Sequence, residues 1–173
     1  MSSSVKTKLL LLNNIALIKI PPEIDKNLPS RGPVMVCGKI YNSEFKAVLE
    51  PDGTAGHFLE LDQDFLIKIK ANVGDELAIE LEPASLWVEP KVPQDFQIAL
   101  EFNFEAKSLW DKITPAARHE WIRWISSTNN IDTRAKRIEV SMSKLKSGMK
   151  RPCCFNSAMC CNSKVSKKGV LLT

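Results

Sequence analysis

Arg134 and Arg137 lie three residues apart in the run T-R-A-K-R-I-E, residues 133–139. On a helix, side chains at that spacing are neighbours, so two guanidinium groups can converge on a phosphate or a carboxylate and bind it at two points. Lys144 follows on the same stripe, and Arg118 and Arg123 belong to the helical pattern just before it. These five cations are the candidate binding residues, either for an anionic ligand or for carboxylates of a neighbouring domain. Trp121 and Trp124, in W-I-R-W-I, have ring faces able to stack on nucleobases. Their spacing beside Ile122 and Ile125 reads more readily as a core stripe.

No catalytic constellation accompanies them. His57 and His119 have no Ser or Cys partner in a recognisable motif, so nothing matches the logic of a nucleophilic triad. Glu60, Asp62 and Asp64 lack the Gly and the closing Glu that a calcium loop needs. There is no Gly-rich phosphate loop. Cys37 sits in an apolar run and reads as a small core residue. Cys153, Cys154, Cys160 and Cys161 form C-C-x5-C-C, whereas zinc ligands favour C-x2-4-C, so a reduced, thiol-rich tail is expected rather than a metal site. The sequence therefore predicts no catalytic residues, no metal and no cofactor.

Charge is distributed unevenly. Residues 1–113 hold 12 basic and 17 acidic side chains, and residues 114–173 hold 12 basic and only 3 acidic. The first part is acidic (net −5) and the second strongly basic (net +9). Such a split fits two halves, the second drawn to something anionic or to the acid of the first. The acid surplus favours pairing between the halves for Arg134 and Arg137. At the N-terminus, Lys6 and Lys8 precede an apolar run in the manner of a signal peptide. Asn13 and Asn14 break that run, no small-residue cleavage site follows, and it is too short to span a bilayer. A strand or strand pair is predicted there, with a cytoplasmic location and no transmembrane segment.

Residues 9–82 carry strand patterns: Ile15–Ile20, Val34–Ile40, Glu44–Leu49, His57–Leu61 and Glu76–Glu82. Pro51-Asp52-Gly53 and Val73-Gly74-Asp75 mark turns. Asp64–Lys70 fits either a strand or a short helix. Three prolines between Pro83 and Pro93 mark a linker. Helical periodicity follows, with Thr114-Pro115 as an N-cap and first-turn proline and Gly148 as a C-cap. The reading is α+β: a barrel domain over 1–84, a linker over 85–93, a helical domain over 94–155, and a disordered, thiol-rich basic tail over 156–173.

W-x2-W-I, then T-R-A-K-R-I-E, then a Gly-basic-Pro-Cys segment resemble the helical domain of the bacteriocin-protection, YdeI or OmpD-associated family. Pro21, Val34-Met35-Val36, Gly38-Lys39-Ile40, the Pro51-Asp52-Gly53 turn and Val73–Leu77 are similar to the small β domain of unknown function that often precedes it. The resemblance spans roughly residues 9–155. It implies a small double-split β-barrel followed by α-helices, and a part in protection against antimicrobial peptides or envelope stress. Thr133, Arg134, Arg137 and Ile138 match its most recognisable motif.

The sequence thus points first to a non-enzymatic cytoplasmic stress-protection or interaction protein, with a protein or anionic ligand as partner. The alternative is a nucleic-acid-binding regulator that uses the basic C-terminal helices, although the acidic barrel half suits DNA poorly. An enzyme ranks last.

Overall fold

The computed structural model describes residues 4–152 and 156–172. Residues through Leu86, with Ser157–Cys160 and the segment from Lys164 on, form one compact unit; Trp87–Asn156 with Cys161–Ser163 forms the other.

The first unit is a closed barrel of six strands: β1 (Val5–Leu12), β2 (Ile15–Lys19), β3 (Val34–Ile40), β4 (Ser43–Pro51), β5 (His57–Glu60) and β6 (Glu76–Pro83), in the spatial order β1-β2-β5-β4-β3-β6. All pairings are antiparallel. Strand β1 gives Val5–Lys8 to β6 and Leu9–Leu12 to β2, and β4 pairs mainly with β3 but passes Glu50 and Pro51 to β5. Strands β1, β4 and β6 thus divide between two neighbours, and the sheet closes without an open edge. The β1–β2 turn rests on Asn13 and Asn14, both at positive φ (48° and 66°), the conformation a tight two-residue hairpin needs and Asn tolerates.

Inward positions fill the barrel with Leu9, Ile18, Val36, Ile40, Leu49, Leu77 and Ile79, all fully buried. Gly38 permits the close β3–β6 crossing, since a Cβ there would lie 2.1 Å from the Glu80 carbonyl oxygen. Short α1 (Pro22–Asp25) and α2 (Gln63–Ile69) complete the unit. The ambiguous stretch near 64–70 is thereby helical, and the reason is local: Asp62 caps it, accepting from the Phe65 N–H at 2.7 Å.

The second unit packs α3 (Gln94–Glu101), α4 (Phe104–Trp110), α5 (Pro115–Ser126) and α6 (Ile131–Lys146) around Phe96, Leu100, Trp110, Trp121, Ile125 and Leu145. Asn103, Thr114 and Asn130 cap α4, α5 and α6 through their side chains. Gly148, at φ 90°, ends α6, with its own N–H on the Leu145 carbonyl and that of Met149 on Lys144. Trp121 is wholly buried, its indole N–H donating to the Lys150 carbonyl at 3.0 Å, and Trp124 is half-buried against the same core.

The C-terminal segment departs from expectation. Instead of a disordered tail, residues beyond Asn156 include a hairpin, β7 (Ser166–Lys167) with β8 (Val170–Leu171). Val165, Leu171 and Cys160 are buried against Leu17 and Phe58 of the barrel. Three apolar anchors spaced among lysines suffice because a ready apolar surface receives them. Cys153 and Cys154, half of the cysteine motif, lie outside the described residues.

Candidate interaction site of the helical unit

The five expected cations lie on α5 and α6, and each has a defined place there. Arg118 sets Nη1 2.6 Å from both carboxylate oxygens of Glu89 and donates through Nε and Nη2 to the carbonyls of Trp110 and Asp111, each at 3.0 Å. It thereby ties the segment before α3 to the end of α4. Arg123 is buried within α5. Arg134 grips Asp95 with a two-point fork, Nε to Oδ2 at 2.6 Å and Nη2 to Oδ1 at 3.0 Å. The guanidinium holds the Asp95 carboxyl below its ordinary value, and the carboxylate raises Arg134 in turn. Arg137 donates to the Trp124 carbonyl at 2.8 Å and to Ser127 Oγ at 2.6 Å.

The charge split predicts carboxylates of the acidic first half, in the barrel, as partners for Arg134 and Arg137. Arg134 does take an acid from residues 1–113, but it is Asp95, in the first turn of α3, rather than a barrel carboxylate, and Arg118 takes Glu89 in the lead-in to the same helix; both acids lie within the helical unit. Arg137 takes a carbonyl and a hydroxyl. The cause is the packing of α3 on α6, which sets their first turns side by side. The motif residues Arg134 and Arg137 therefore do not converge on one point: one fastens α3 and the other closes the α5–α6 turn.

What remains open on this face is Trp124. The Arg137 guanidinium lies 5.6 Å and the Lys144 ammonium 5.4 Å from its ring centroid. Both distances are within cation–π range. Beside it lies a shallow depression of about 460 Å³, lined by Trp124, Asp132, Thr133, Lys136, Arg137 and Val140. Its walls are mostly apolar and its rim is charged.

Two further features escape the sequence. Phe102 and Phe104, at the α3–α4 corner, are 89% and 85% exposed, and Ile98 one turn back is half exposed. Their spacing around the capping Asn103 is visible, but nothing in it tells inward from outward. In the barrel unit, His57 is not solitary: its Nδ1 lies 2.7 Å from Asp25 Oδ1 and its Nε2 2.8 Å from the Gly32 carbonyl, while Arg31 holds the other Asp25 oxygen at 2.8 Å. Both ring nitrogens thus lie within hydrogen-bond distance of an oxygen.

Residues 89–148 match the family described as Bacteriocin-protection, YdeI or OmpD-Associated, and residues 6–81 match a Domain of unknown function (DUF1905). The chain is thus similar to DUF1905 over its barrel and to the YdeI/OmpD-associated family over its helices. Each match falls within one of the two compact units. No curated protein matches the chain. Among the described residues no helix is long and apolar enough to cross a membrane, and no group of three or more His, Cys, Asp or Glu side chains is placed to hold a metal ion.

Proposed function

We propose that the protein is a non-enzymatic interaction protein of the cytoplasm that protects its host against antimicrobial peptides or envelope stress, and that the helical unit carries the contact. The observation behind this reading is the Phe102–Phe104 corner. Two nearly free phenyl rings cost solvation and are the kind of aromatic anchor that protein contacts use. Glu101 and Glu105 flank them in the chain, so the corner suits a cationic, apolar peptide or a protein segment of that character. The family description, which names bacteriocin protection, agrees with such a partner. The test is survival under a cationic amphipathic peptide in a host strain lacking the gene. The wild-type chain restores survival and the folded Phe102→Ser/Phe104→Ser variant does not; equal rescue by both sinks the proposal.

The Trp124 depression favours a second reading, nucleic-acid binding, with the indole as stacking surface and Lys136 and Lys144 as phosphate contacts. The structural engagement of Arg118, Arg134 and Arg137 leaves fewer cations for that task. Binding of single-stranded DNA that weakens steeply with added salt, and that Lys144→Glu abolishes, would promote it.

A further inference from the structure

Among the described residues, the buried polar side chains of the barrel unit are Asp25, Asp52 and His57. All three line one cavity of about 560 Å³, bounded by β1, the end of β2, the start of α1 and the β4–β5 turn. A barrel filled by aliphatic side chains thus gathers its buried polar groups at one place, and such groups cost free energy unless each finds a partner. Two of the three do. His57 Nδ1 meets Asp25 Oδ1, while Arg31 holds Asp25 Oδ2 at 2.8 Å and the Ala55 carbonyl at 3.0 Å, which fixes this wall of the cavity. Asp52 is only half satisfied. Its Oδ1 accepts from the Thr54 and Gly56 N–H groups at 2.7 and 2.9 Å. Its Oδ2 takes no hydrogen bond, and no cation pairs with the carboxylate among the described residues, although Asp52 is only 9% exposed. Lys6, on the same cavity, is taken by Glu76 at 2.8 Å. Lys19 is not taken: its ammonium has no acceptor among the described residues.

We propose that this cavity binds a small zwitterion, an amino acid or short peptide with apolar side chains, whose ammonium meets Asp52 Oδ2 and whose carboxylate meets the Lys19 ammonium. The cavity holds two unmatched groups of opposite charge that do not pair with each other. A cation alone would leave Lys19 unmatched, and an anion alone would leave Asp52 so. A molecule that carries both charges satisfies both groups, and Ile20, Pro21 and Pro22 supply an apolar wall for its side chains. The volume is within the range of small-molecule sites. Two backbone N–H bonds already hold the Asp52 carboxylate, so binding has little to order beyond the Lys19 side chain. The site belongs to the barrel unit and involves neither Phe102 nor Phe104, so it goes beyond the proposed function and is tested separately from it.

The test uses the full chain with L-leucine, the dipeptide Leu-Ala and the tripeptide Leu-Ala-Ala as probes, since the two charged ends move apart along that series. At least one probe shifts the amide NMR signals of residues 52–57 to saturation, and calorimetry gives its Kd. Acetylating the amino end of that probe, or amidating its carboxyl end, weakens binding at least about tenfold. Asp52→Asn keeps an oxygen for the Thr54 and Gly56 N–H groups and removes the charge; Lys19→Gln removes the cation. Each folded variant binds at least about tenfold less tightly than wild type. Lys19→Arg retains binding, and Lys8→Gln, on β1 outside the cavity, matches wild type. If Asp52→Asn does not fold, Lys19→Gln and the blocked probes decide. No response to any of the three probes at millimolar concentration, equal affinity for blocked and unblocked probes, or binding unchanged in Lys19→Gln would each overturn the proposal.

Discussion

Arg134 and Asp95, 39 residues apart in sequence, form a two-point fork that joins the first turn of α6 to the first turn of α3. Asp95 also lies in the first turn of its own helix, where a negative charge is favoured. Asp95→Asn keeps the shape and removes the charge. Both side chains are partly exposed, so solvent screening limits the loss to at most about 1 kcal/mol. The sign with pH follows from the lowered Asp95 carboxyl. Its contribution is complete above the ordinary value of 3.8 and disappears as pH falls through the depressed one. Urea titrations of both proteins at pH 7 and at stepped acid values check this: the gap between them closes on acidification. A gap that widens in acid contradicts it.

Trp121 is the largest wholly buried side chain of the helical unit, in edge contact with Trp124 at 6.2 Å and hydrogen-bonded to Lys150. Trp121→Ala should cost about 3–5 kcal/mol through lost burial and the cavity left behind. Trp124→Ala, at a half-buried position, should cost clearly less. Chemical denaturation of the two variants decides. Near-equal losses would mean that Trp124 is as much a core residue as Trp121.

Gly38 sits where β3 crosses β6 most closely. Gly38→Ala drives a methyl group toward the Glu80 carbonyl oxygen and the Leu81 backbone, neither of which is a flexible side-chain end. Part of the Gly38–Leu81 ladder must shift, at a cost of about 1–3 kcal/mol. The same substitution at Gly74 meets no neighbouring atom, but its φ of 96° makes the cost one of backbone strain alone. Thermal melts of both variants, with amide exchange on β3 and β6, separate the two causes. Faster exchange confined to β3 and β6 in Gly38→Ala alone is the expected pattern.

Local chemistry is legible in the sequence and partner choice is not. The Thr114-Pro115 start of α5, the Gly148 end of α6 and the Pro51-Asp52-Gly53 turn are readable because each depends on one to three adjacent residues with their own φ preferences or capping oxygens. The barrel follows from alternating strands with close turns, supported by the family resemblance. The stripe carrying Arg134 and Arg137 is also readable, but periodicity gives a direction around a helix and not what lies there, so it suggests barrel acids where Asp95 and Glu89 stand. The C-terminal segment reads as disordered for a related reason. Cys160, Val165 and Leu171 are too few and too interrupted by lysine to show a period. They fold because Leu17 and Phe58, more than a hundred residues earlier, present a surface for them.

His57 and Asp25 give the barrel its buried polar network. One Asp25 oxygen meets His57 Nδ1 and the other accepts from Arg31, and the far nitrogen of His57 meets the Gly32 carbonyl. The network thereby holds α1 and the loop after it to the start of β5. His57→Leu keeps the site filled but leaves one Asp25 oxygen and the Gly32 carbonyl without their partner, which should cost about 2–3 kcal/mol. Asp25→Leu should cost at least as much, since it takes the carboxylate from both His57 and Arg31, which then keep only backbone carbonyls as partners. The double variant is the decisive one. If the two residues act mainly through each other, losing both costs less than the sum of the single losses, by about 1 kcal/mol or more. Strict additivity in urea denaturation would mean that each is held by its other partners, Gly32 and Arg31, and that the 2.7 Å contact between them contributes little.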